Sequence, residues 1–181
     1  MSQQQTLKPH SDWSYTITSN TVTKLTCYYN DAYEAVVHQF QLQVPQIDTL
    51  RIRAATNNHE TKQVLEDINS PSGFVLFADY NHAGWTRHFT AQGVTLQRAH
   101  RFTFGNPLYA LPILQQNIEA ALHIPLDCCF IEQPDHNRTK LVVTLPTSAL
   151  ETVDDDGGVK RALADLEAKV FVLVQRLAAW H

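Results

Sequence analysis

Threonines, Val22, Leu25 and two tyrosines between Asn20 and Tyr29 form a β-rich segment, which Asn30 and Asp31 end. Tyr33, Val36, Val37 and Phe40 then recur at helical spacing until Pro45, and Asp31 with Glu34 three residues on reads as a capping box. Val64, Leu65 and Ile68 mark a second helix between Asn58 and Asn69, closed by Ser70-Pro71-Ser72-Gly73; residues 46–57 carry no clear period. Phe74 to Phe77 is a short apolar run between turn residues, predicting a buried strand over Gly73–Tyr80. Arg98–Phe104 predicts another strand. Gly105-Asn106-Pro107 and the apolar stretch Leu108–Leu122 follow as turn and helix.

Pro125–Gln133 and Arg138–Leu145 are rich in β-formers, and Pro134-Asp135-His136-Asn137 between them predicts an antiparallel hairpin. At the end, Asp154 to Asp156 place negative charge where a helix dipole is positive, and Val159, Leu163, Leu166, Val170, Leu173, Leu177 and Trp180 follow at steps of four and three. The expected fold is therefore α+β: a curved, mostly antiparallel sheet packed on a long C-terminal helix, with additional shorter helices. Residues 1–14, polar and without period, read as a flexible N-terminal arm before a single domain over 15–181.

At 181 residues such a chain buries roughly 70% of its unfolded surface, enough for a core without staples. Fourteen Lys and Arg against eighteen Asp and Glu, with no basic run, argue against nucleic acid as a partner. No apolar run approaches the roughly 20 residues of a membrane span, and the N-terminus has no apolar leader, so the expectation is a cytoplasmic protein with no membrane partner. Three cysteines, two of them adjacent at Cys128 and Cys129, read as reduced thiols.

The segments Gly73-Phe74-Val75-Leu76-Phe77, Asn81-His82, Phe104-Gly105-Asn106-Pro107 and Ile124-Pro125-Leu126 through Ile131-Glu132 resemble, in order and spacing, the domain of unknown function 302 family. The resemblance covers residues 73–150, and less securely most of the chain. It implies a helix-grip architecture similar to TATA-binding-protein-like and plant-allergen-like domains. The family's Asp before the histidine is here Asn81, which can orient an imidazole but cannot stabilise its charged form.

His82, at the exit of a predicted strand, is a candidate general base; alternatively its ring satisfies a backbone group and packs on Trp85. Asn106 and Pro107 read first as a helix N-cap and first-turn proline; the same geometry, with Gly105 allowing close approach, could stabilise an oxyanion. Glu132 shares a strand face with Cys128 and Phe130: facing inward it is a carboxyl with a raised pKa and a candidate acid or base, facing outward it is solvated. Arg98 and Arg101 lie on opposite strand faces, so at most one reaches a cavity, and Arg101 and Trp85 join Gly105, Asn106 and Pro107 as candidate ligand contacts. The histidines show no metal-binding spacing, and no phosphate loop or dinucleotide fingerprint occurs, so neither metal nor cofactor is expected.

The leading expectation is cofactor-independent proton-transfer chemistry, of isomerase, cyclase or lyase type. Its substrate would be a small hydrophobic metabolite in a pocket between sheet and helix. Here His82 would act as base, Asn106 would stabilise an oxyanion and Glu132 would stand at the mouth. The alternatives are a carrier domain for a hydrophobic ligand, and a homodimeric interaction module using a sheet edge or Trp13, Tyr15 and Trp180.

Overall fold

The computed structural model describes residues 17, 19, 21–86, 97–134, 137–149 and 157–180. Five strands, β1 (Lys24–Tyr29), β2 (Val75–Asn81), β3 (Ala99–Gly105), β4 (Leu126–Gln133) and β5 (Arg138–Thr144), form one open sheet in the order β1-β5-β4-β3-β2, every neighbouring pair antiparallel. Burial alternates along β4 and β5, so Leu126, Cys128, Phe130, Thr139, Leu141 and Val143 share the covered face. Two helices lie on that face: α1 (Tyr33–Gln43) and the terminal helix α7 (Gly158–Ala178). The α7 stripe buries Val159, Leu163, Leu166, Val170, Leu173 and Leu177, as its spacing predicts.

The expected cavity between sheet and terminal helix is filled. Phe40, Phe102, Phe104, Phe130, Leu163 and Val170 occupy it, all with under 2% exposure. Phe40 sits 5.0, 5.6 and 5.1 Å from the rings of Phe102, Phe104 and Phe130. These four aromatic rings pack at van der Waals spacing between α1 and the sheet.

Local departures from the sequence reading have local causes. The start of α1 is capped at Ala32 with no side-chain hydrogen bond, and Glu34 binds Arg98 instead of closing a capping box. Residues 46–57 contain a short helix, α2 (Thr49–Ala54), whose N-cap Asp48 accepts from the backbone N–H of Leu50 and Arg51. It leads into α3 (Asn58–Ile68), where Ile47, Leu65 and Val75 make a second, smaller core beside β2. A single helical turn, α4 (His82–Thr86), follows β2 directly. The apolar stretch after Asn106 does not form one helix. It divides into α5 (Pro107–Leu114), with Pro112 inside it, and a 3-10 turn over Ile118–Leu122 capped by Asn117. A four-residue turn of helix, α6 (Pro146–Ala149), follows β5.

The expected arm, Trp13, Tyr15, His88 and the Asp154–Asp156 run lie outside the described residues. Cys27, Cys128 and Cys129 are free thiols, and burial pushes the pKa of all three up. Among the described residues no helix is long and apolar enough to cross a membrane.

Candidate functional site

A cleft of about 290 Å³ opens where α1 passes over the end of the sheet that carries the exit of β2 and the start of β3. Its walls include Tyr33, Glu34 and His38 from α1, Asn81 from the last position of β2, and Arg98 and His100 from the start of β3. Glu34, His38 and Gln41 follow one another at steps of four and three, so one stripe of α1 faces the cleft.

His100 is the inward residue two before Phe102, and its ring stacks on that phenyl at 4.4 Å between centroids and 26° between planes. Its side chain is only 12% exposed. Nε2 of His100 is hydrogen-bonded to Oδ1 of Asp79, on the neighbouring strand and the same face. A carboxylate can only accept, so this contact orients the ring with an Nε2–H toward Asp79 and turns Nδ1 away from it.

Arg98 lines the same cleft two residues before His100. Its Nε and Nη2 donate to the two carboxylate oxygens of Glu132 at 2.7 and 2.5 Å, and Nη1 donates to Glu34. The guanidinium also lies 4.8 Å from the centre of the Tyr33 ring. These hydrogen bonds lower the pKa of both Glu132 and Glu34 and raise that of Arg98. Burial pushes the Tyr33 phenol up to about 12, with the Arg98 charge opposing that shift.

Comparison with known proteins now bears on the arrangement. The family model described as domain of unknown function DUF302 matches residues 51–177, well over half of the chain. The chain belongs to the DUF302 family. The crystal structure of an uncharacterized conserved DUF302 protein from Bacillus stearothermophilus is similar, with a TM-score of 0.58 at 12% identity over 85% of this chain and 97% of that one. At that identity the likeness is one of fold. No curated protein matches.

The DUF302 motif positions fall at two opposite ends of the sheet. β2 and β3 pair with Asn81 opposite His100 at one end and Val75 opposite Gly105 at the other. The six residue steps from Val75 to Asn81 span roughly 20 Å. His82 and Asn106 therefore do not meet in one pocket.

Each residue singled out from the sequence has a defined place. Nδ1 of His82 accepts from the indole N–H of Trp85 at 3.3 Å, and the rings meet edge to face, the arrangement in which histidine packs on tryptophan. Asn81 accepts from the Gly84 N–H at 3.2 Å and lines the cleft next to His100. Glu132 faces inward, but the Arg98 fork lowers its pKa; the raised value expected for an inward carboxyl is corrected by that pairing. Arg101 points to the other face of the sheet, where it pairs with Asp127 and lies over Tyr80, so of the two arginines it is Arg98 that reaches the cleft.

Asn106 caps α5 by accepting from the Leu108 N–H at 2.8 Å, while its amide donates to the Gly73 carbonyl at 2.7 Å. Pro107 occupies the first turn. A Cβ on Gly105 would stand 3.2 Å from that of Pro125, so this glycine allows the close approach of two chain segments. Asn106 borders a separate open groove of about 620 Å³, together with Lys62, Glu66, Asn69 and Gly73.

His100, Asp79 and Arg98 were not singled out from the sequence as a site. One signal for them was present: on a strand whose inward residues are Phe102 and Phe104, alternation puts His100 inward as well.

Proposed function

We propose that this DUF302 chain is a proton-transfer enzyme whose base is His100, acting on a small molecule held in the cleft beneath α1. The observation that carries the reading is the His100–Asp79 pair: a ring fixed by stacking on Phe102, oriented by a carboxylate, and lining a cavity. A base must be held in position and still reach solvent-borne substrate, and this one combines low exposure with an open cleft. Its reaction is the removal of a proton from the substrate by Nδ1 and the return of that proton to another atom or to the leaving group. Isomerisation, cyclisation and elimination share this step.

The cleft is small, and Glu34, His38, Asn81, Arg98 and His100 place several polar groups in a partly apolar wall, which favours a small ligand with an apolar body and a polar or charged group. Asn81 and the Tyr33 phenol, which burial keeps protonated, are the neutral hydrogen-bond donors available to a developing oxyanion.

The test is His100→Asn, screened with the wild-type protein against a panel of small enolisable and eliminable compounds. Deuterium exchange from the solvent at the acidic carbon, followed by NMR, reports the proton transfer directly. The expected result is exchange in the wild type and a loss of about a hundredfold or more in the variant. Exchange that survives in His100→Asn removes His100 from the reaction. Retained binding without exchange in either protein favours the carrier reading.

A further inference from the structure

Arg98 is built to present one end of a guanidinium to an exchangeable carboxylate. Glu132, 26% exposed on its strand, holds Nε and Nη2 from behind and so fixes the plane of the group. The remaining contact, from Nη1, goes to Glu34, whose side chain is 66% exposed and belongs to the first turn of α1. The two partners are therefore unequal. A two-point hydrogen-bonded pair on the sheet is retained, whereas a single contact to an exposed side chain is lost at little cost.

We infer that Glu34 occupies the position of a substrate carboxylate, and that the cleft takes a small monocarboxylate which displaces Glu34 from Arg98. The inference rests on the cleft being the binding site and adds the chemical class of its ligand. Charge balance agrees with exchange: a carboxylate arriving on Nη1 replaces one negative charge by another, so the arginine is never left short of a counter-charge. Both Arg98 and His100 line the same cavity, so a carboxylate held at the arginine puts its neighbouring carbon on the side of the histidine. A carbon that also adjoins a ketone or aldehyde carbonyl is the kind from which a base removes a proton.

In the groove beside Asn106, the Asn106 amide oxygen is engaged by the Leu108 N–H and its nitrogen by the Gly73 carbonyl.

Benzoate and its neutral isostere benzamide are the probes, titrated into the full-length wild-type protein and into Glu34→Gln. Calorimetry gives the affinity, and the His100 ring protons in the NMR spectrum give the location. Removing the competing carboxylate is expected to tighten benzoate about threefold or more, while benzamide stays the same in both proteins. Arg98→Gln is expected to abolish the benzoate shift at His100. The inference is overturned by benzoate binding that does not respond to Glu34→Gln, by benzamide gaining as much as benzoate, or by benzoate failing to shift His100. None of these outcomes depends on turnover, so the proton-transfer reading is judged separately by deuterium exchange in His100→Asn.

Discussion

Arg98 donates three hydrogen bonds to carboxylates from one side chain, and its effect on the two acids sets a pH dependence. The native pKa values of Glu34 and Glu132 lie below the ordinary glutamate value of about 4.3 because Arg98 donates to both. A lowered native pKa means that the unfolded chain binds protons first as pH falls. The stabilisation is therefore complete above about 4.3 and is lost as pH drops through the native values. Glu132→Gln should be less stable than wild type by up to about 1 kcal/mol at neutral pH, and the gap should be smaller at pH 3. Urea unfolding midpoints at the two pH values measure it, and a gap independent of pH would show that the charge on Glu132 does not contribute. At this scale, sequence reading succeeded where the contact is local and failed where it is not. The Asn106 cap lies two residues from the N–H it accepts from. The Glu34–Arg98 contact spans 64 residues, and no local pattern announces it.

α1 joins the core to the cleft. Phe40 on one face meets three phenyl rings, while Glu34, His38 and Gln41 on another line the cavity, so the seat of the phenyl fixes the height of the polar stripe. Phe40→Ala should cost about 3–5 kcal/mol in chemical denaturation, because the cavity it leaves is walled by rings that cannot all collapse into it. Leu42→Ala, two residues on but 52% exposed, should stay within about 0.5 kcal/mol. Equal losses at the two positions would mean that the rings do not seat the helix. The helical period and the alternation made α1, α3, α7 and the β4–β5 hairpin legible, since each buries one regular face. Element ends were less legible. The Asp31–Glu34 box competes with a charged partner on a distant strand, and the stretch after Asn106 breaks where Pro112 and the Asn117 cap interrupt a run that composition alone makes continuous.

Across the whole molecule, the antiparallel register decides which polar residues can act together. Two segments singled out from the sequence are placed at opposite ends of β2 and β3: Asn81 and His82 by the cleft, Gly105 and Asn106 by the other groove. Side chains that far apart, sharing no partner, should contribute independently. His82→Ala, in a short exposed turn where the ring accepts from the Trp85 indole and packs edge to face on it, is expected to change stability by no more than about 0.5 kcal/mol. Asn106→Ala removes both the α5 cap and the bond to Gly73, and is expected to cost about 1–2 kcal/mol. The double variant should equal the sum of the two within about 0.5 kcal/mol. Glu34→Gln with Glu132→Gln makes the contrasting cycle. Both carboxylates bind one guanidinium, so the loss of either changes what the other is worth, and their effects should not add. Urea unfolding of the two cycles side by side reads the coupling. Additivity at the Arg98 pair, or strong coupling between His82 and Asn106, would contradict the separation of the cleft from the groove beside Asn106.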